Sequence, residues 1–127
     1  MIAAEPPKLS RNEGLKANNT PLAGTIAQTL ANPANDHFSE DDYEFLKFHG
    51  IYQQDDRDQR KVAKHYMLMV RTKFPGGVLS GKQYLACDEL ASVYANNTLR
   101  ITTRQDFQFH GILKSNLRHY MKSLNEA

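Results

Sequence analysis

Cysteine is nearly absent from this sequence of 127 residues: Cys87 stands alone. One thiol excludes an internal disulfide framework, a zinc site of cysteine pairs and any metal cluster ligated by this chain unaided. Long apolar runs are missing as well. None approaches the ~18 residues of a membrane helix, and no signal-peptide core follows Met1. No Gly-rich phosphate loop, zinc-binding histidine pair or nucleophile-elbow pattern occurs. Neither sign of charge dominates: 16 Lys+Arg against 14 Asp+Glu leave +2. That excludes a histone-like polycation and an acidic tail, while allowing a local basic face. These absences lead to the expectation of a cytoplasmic protein in a reducing compartment, with no membrane partner.

What is present suffices for one domain. Hydrophobic residues make up 40% of the chain, below the usual ~45–50%, and the deficit lies at the front. Residues 1–38, punctuated by Pro6, Pro7, Pro21 and Pro33 and rich in Asn and Ala, read as an extended N-terminal arm. Within it Leu22, Ile26 and Leu30 fall at i, i+4 and i+8, the spacing of one short amphipathic helix.

Residues 39–127 read as a folded unit. Ser39-Glu-Asp-Asp42 is a helix N-terminus, with a capping side chain and carboxylates at the positive dipole end. That helix ends near Gly50. The polar run from Tyr52 to Arg60 is too charged for a core and reads as a surface loop or one lining a polar cavity. His65–Lys73 is a strand, closed by the turn Phe74-Pro-Gly-Gly77. Ser80 with Gln83 is a capping-box pattern opening a helix to about Ala95, whose stripe is Ala86, Cys87, Leu90, Val93 and Tyr94. Asn96 and Asn97 suit the left-handed helix end. Thr98–Arg104 and Phe107–Leu113 form a hairpin around Gln105-Asp106, and Ser115 opens a last helix carrying Leu117, Tyr120, Met121 and Leu124. The fold class is therefore α+β: a ferredoxin-like half-domain, β-α-β-β-α with its last strand missing, preceded by a helix and the arm. Either a partner supplies that strand or the chain is a fragment.

Alternation of side chains along a strand assembles one polar surface from three strands: Arg71, Arg100, Thr102, Arg104, Gln108 and His110. Guanidinium groups present fixed planar donors to carboxylates and oxyanions, with Thr hydroxyls and the Gln amide beside them. The ligand this set fits is an anion with several acidic groups. Alternating Arg and Thr is equally ordinary on a solvated outer sheet face, and spacing leaves both readings open. His110 reads as a hydrogen-bonding sheet residue, since a metal site needs convergent ligands; beside arginines it is also a candidate proton donor. No residue is assigned to a metal. His49 reads as a helix cap, Cys87 as a buried inert thiol, and Met67 and Met69 as core or packing residues.

Three separated segments in order carry a more specific signal: Phe48-His-Gly-Ile-Tyr-Gln-Gln-Asp-Asp-Arg-Asp58, Met69-Val-Arg-Thr-Lys-Phe-Pro-Gly-Gly77 and Leu99-Arg-Ile-Thr-Thr-Arg-Gln-Asp-Phe-Gln-Phe-His-Gly-Ile112. In these the sequence resembles the sulfite/nitrite reductase haemoprotein family, nearest its assimilatory sulfite-reducing branch. The resemblance implies six-electron reduction of sulfite to sulfide, or of nitrite to ammonia, at a sirohaem coupled to a 4Fe–4S cluster. It implies that Arg71 contacts the substrate anion as the catalytic residue. It further implies that Arg100, Thr102, Thr103, Arg104, Gln108 and His110 hold the cofactor carboxylates, with Tyr52 and the Gln53–Arg57 run near the cofactor. In an ideal strand Thr103 points away from the other five, so its inclusion requires a bulge or a strand end near Arg104.

The four cluster cysteines of the family, a later arginine and a lysine pair have no counterpart here. The expectation is thus the N-terminal portion of a longer sulfite reductase, inactive as an isolated fragment, fed by ferredoxin or a flavoprotein reductase subunit and without a nucleic-acid partner. Nitrite as substrate is the nearest alternative. From another class comes a non-catalytic anion- or RNA-binding ferredoxin-like module. Against the RNA version, Phe107 and Phe109 alternate away from the basic face.

Overall fold

The computed structural model describes residues 3–55 and 62–127. Asp56, Arg57 and Asp58, which complete the first of the three segments, lie outside the described residues.

Two short helices, α1 (Arg11–Asn18) and α2 (Ile26–Ala31), form within the N-terminal arm. They are followed by α3 (Glu40–Phe48), β1 (Ile51–Asp55), β2 (Tyr66–Arg71), α4 (Gly81–Tyr94), β3 (Leu99–Ile101), β4 (Phe107–Ile112) and α5 (Lys114–Glu126). The arm is fastened to the domain by buried polar groups. Asp42, in the first turn of α3, accepts from the Thr25 backbone N–H (2.9 Å) and hydroxyl (2.6 Å). Lys114 Nζ donates to the carbonyls of Asn32 and Asn35, both at 2.6 Å. Ile26 and Leu30 pack on the core and Phe38 lies inside it.

The expected helix caps form where the chemistry demands them. Ser39 Oγ accepts from the Asp42 N–H. Ser80 and Gln83 exchange both bonds of a capping box at 3.1 and 3.0 Å, satisfying two of the donors a helix start leaves open. Asn97 takes φ +65° after α4. The start of α5 differs from expectation: Leu113, not Ser115, is its N-cap, with no side-chain bond.

The four strands form one antiparallel sheet in the order β1-β2-β4-β3. From β2 onward the chain follows the expected β-α-β-β-α path, and the sheet position that a strand after α5 would take beside β2 is occupied by β1. Part of the polar run read as a loop is therefore a strand. The reason lies in its alternation: Ile51 pairs with Val70 on the core side and is buried, whereas Tyr52 and Gln54 lie across from Met69 and Met67 on the other.

Leu68, Val70, Phe107, Phe109 and Ile112 face α4 and α5, packing with Cys87, Leu90, Ala91, Leu117 and Tyr120. Phe109 and Tyr120 meet edge to face at 5.0 Å, and both are fully buried. Cys87 is 2% exposed, and burial pushes its thiol pKa up, so it is an inert core residue.

Two side chains depart from the expected alternation. The partners Leu68↔Ile112 and Val70↔Phe109 leave one extra residue on β4, a bulge at Gly111 with φ +76°. A Cβ there would lie 2.9 Å from that of Asn96. The bulge turns Ile112 into the core instead of Leu113, which is 39% exposed. Val93 likewise faces solvent, Ala91 taking its place in the buried stripe of α4. Met67 and Met69, read as core or packing residues, are half-buried and buried respectively, and by alternation with Leu68 they pack on the face opposite the helices.

Candidate anion-binding face

That opposite face holds the residues with chemistry. Arg71 on β2 is directly across from Gln108 on β4, and Gln108 is directly across from Arg100 on β3. The three side chains thus stand abreast on three adjacent strands, with the two arginines two strand spacings, ~10 Å, apart. His110 lies two residues beyond Gln108 on the same face, and its Nε2–H donates to Gln108 Oε1 (3.2 Å). The sequence expectation that Arg71, Arg100, Gln108 and His110 share one surface is met by this register.

Arg71 is the most confined of the described arginines, the others being exposed. Its guanidinium carbon lies 5.0 Å from the ring centroid of Tyr52, and its Nε is buried without a hydrogen-bond partner. Among the described residues no carboxylate pairs with it. Arg104 differs: its side chain is 68% exposed, 4.0 Å from the carboxylate of Asp106.

The remaining expected ligands lie in the turn after β3, which ends at Ile101. The hairpin turn therefore spans 102–106, wider than the two residues Gln105 and Asp106, with Gln105 at φ +62°. Thr103 and Arg104 are exposed on it, so strand alternation does not constrain Thr103. Asp106, buried, organises this turn. Its Oδ1 takes the Thr102 hydroxyl hydrogen, and its carbonyl takes the Thr102 N–H at 3.0 Å. Thr102 Oγ1 in turn accepts from the Arg104 N–H (3.2 Å). A hydroxyl has one hydrogen, so Thr102 is not the open donor that its residue type suggests. Sequence reasoning missed Asp106 in this role; a carboxylate four residues after a threonine, at a strand–turn–strand junction, was the available signal. The turn is braced from below: a Cβ on Gly77, at φ +70°, would lie 3.0 Å from the Cβ of Gln105.

Burial, and then the positive charge of Arg100, hold the His110 pKa below the ordinary histidine value. The folded state consequently binds that proton less readily than the unfolded chain. Below ordinary histidine pKa (~6.5) stability falls as the solution is acidified, until His110 is protonated in both states. A ring-proton titration of His110 is expected to give a midpoint below that of a free imidazole. Arg100→Ala is expected to move it upward; an unmoved midpoint would separate the two residues electrostatically.

Comparison with known proteins decides the family. Residues 59–127 match the family described as the nitrite/sulfite reductase ferredoxin-like half domain. The chain belongs to this family. It is 49% identical over 132 residues to the sulfite reductase (NADPH) hemoprotein beta-component of Bordetella petrii, covering 99% of this chain and 22% of that protein. A protein of the same name from Staphylococcus epidermidis is 49% identical over 125 residues, again 22% of its length. The half-domain fold also matches the solved Mycobacterium tuberculosis NirA protein with a TM-score of 0.74, over 93% of this chain and 24% of that one, at 22% identity. The chain thus spans about a fifth of the length of its curated relatives. Both the family resemblance and the ferredoxin-like fold expected from sequence stand. Among the described residues no helix is long and apolar enough to cross a membrane.

Proposed function

We propose that this chain is the N-terminal half-domain of a sulfite reductase haemoprotein, presenting its basic sheet face to sirohaem and to sulfite. The observation that carries the reading is the row Arg71–Gln108–Arg100, in which Arg71 has a buried, unpartnered Nε–H and, among the described residues, no carboxylate of its own. A buried donor without an acceptor is costly, and an anion on this face removes that cost. The donor set fits the carboxylates of sirohaem, which when bound supplies the redox chemistry. Cys87, buried in the core, does not supply ligands for a 4Fe–4S cluster, so the cluster falls to the remainder of a longer protein.

Each residue then has a separate task. Arg71 binds the substrate oxyanion, its planar fork holding two oxygens at once. Arg100 and the NH2 of Gln108 take cofactor carboxylates. Gln108 Oε1 meanwhile fixes the Nε2–H tautomer of His110, leaving Nδ1 as an acceptor. Negative charge arriving beside His110 offsets Arg100 and raises its affinity for a proton, which suits delivery of protons to a reduced anion. Arg104 and Thr103, exposed on the turn, reach outward to the cofactor edge, with Thr102 holding the turn in shape. Tyr52 borders the same face. Residues 1–38 serve as the arm and 39–127 as the catalytic half-domain. The NADPH and beta-component in the names of the relatives support an NADPH-fed flavoprotein as electron donor, in a cytoplasmic enzyme.

The test is a hybrid in which this chain replaces the corresponding fifth of the Bordetella petrii relative. The hybrid is expected to reduce sulfite with a viologen donor, faster than it reduces nitrite, while the chain purified by itself reduces neither. A folded hybrid without turnover of either anion would sink the reading.

A further inference from the structure

We infer that Tyr52 is a positioning residue for the anion-binding arginine, acting through its ring and not as a ligand of the cofactor; the inference rests on the proposed anion-binding role of Arg71. Tyr52 faces Met69 across the β1–β2 ladder, and Arg71 is two residues further along β2 on the same side. The two are diagonal cross-strand neighbours, within reach of an aromatic and a long side chain. The guanidinium sits 5.0 Å from the ring centroid, inside cation–π range.

Two other described arginines are oriented differently, by carboxylates. Arg11 is held by Asp41 and Arg104 lies near Asp106. A carboxylate orients a guanidinium well, but it also neutralises the charge and occupies the planar fork that an anionic ligand needs. An aromatic face restrains the same group through its quadrupole, engages none of its N–H donors and keeps the charge whole. The unpartnered Nε of Arg71 is the signature of this arrangement. The phenolic hydroxyl plays no part in it, which makes the inference separable from a role for Tyr52 as a hydrogen-bond donor.

The experiment is a sulfite titration of the purified chain at constant ionic strength, followed by the side-chain NH2 signals of Gln108, the neighbour of Arg71. Wild type is expected to show a saturable shift. Tyr52→Phe should bind with the same affinity within about twofold, and Tyr52→Leu about 5- to 30-fold more weakly, the span of an exposed to a desolvated cation–π contact. Phenylalanines carrying increasing numbers of fluorines at position 52 keep the shape while draining the ring face, and affinity should fall stepwise along the series. That series decides the matter should Tyr52→Leu fail to fold. Unchanged affinity in Tyr52→Leu and across the series overturns the inference. A loss in Tyr52→Phe as large as in Tyr52→Leu overturns it too, by placing the effect in the hydroxyl. Undiminished sulfite binding by Arg71→Ala, or no saturable shift in wild type, instead overturns the anion-binding reading itself.

Discussion

Phe109→Ala is expected to cost about 3–5 kcal/mol of folding stability, the range for removing a large buried aromatic side chain. Phe109 is the centre of the sheet's inner face. It pairs with Val70 on one side and Leu99 on the other, stacks edge to face on Tyr120 and has no exposed surface. The bulge at Gly111 fixes the backbone immediately after it, which limits collapse around the cavity. The lost edge-to-face contact adds to the transfer term. Such a loss is comparable to much of the stability of a domain this size, so the denaturant midpoint should fall steeply with little change in slope. Ile101→Ala, at a 77% exposed position on the same face of the edge strand, is the matched control and should cost far less. A small effect at Phe109 would mean that the core closes over the gap.

Arg71→Ala is expected to lower kcat/KM for sulfite in the Bordetella hybrid by about 100- to 1,000-fold. Truncating one member of a desolvated charge-assisted contact costs about 2–5 kcal/mol, and each 1.36 kcal/mol is tenfold in rate. Arg71 lacks a competing carboxylate among the described residues, so its whole charge is available to the ligand. Arg71→Lys should recover little: an ammonium has no planar fork and cannot lie against the Tyr52 ring as a guanidinium does. Arg104→Ala, at an exposed site already near Asp106, should fall no more than about tenfold, since an exposed, screened pair contributes ~1 kcal/mol or less. Equal losses at the two positions would remove the distinction drawn from their surroundings.

Much of this arrangement was legible in the sequence because it depends on local rules. Capping side chains located α3 and α4. Period-two alternation put Arg71, Arg100, Gln108 and His110 on one face and Phe107 and Phe109 on the other. The misreadings have a common cause in long-range pairing. Tyr52-Gln-Gln looks like loop because its polarity is conspicuous, and its alternation registers only against the Val70–Met67 stretch that it pairs with. The Gly111 bulge reverses parity for the residues after it, which no alternation count anticipates. Thr102 was read as an open donor because its acceptor, Asp106, is brought to it by the hairpin turn. The arm's attachment through Lys114 joins residues 79 and 82 positions apart, beyond any window-based reading.

The placement of β1 bears on how the molecule can be handled. Residues 59–127, the stretch matched to the family description, omit Ile51, Leu46 and Phe38, all buried in the hydrophobic core cluster. A clone trimmed to that stretch would bare the β2 ladder along its whole length, inviting intermolecular strand addition. An expression unit that keeps this ladder and cluster covered starts at or before Phe38, upstream of the matched stretch.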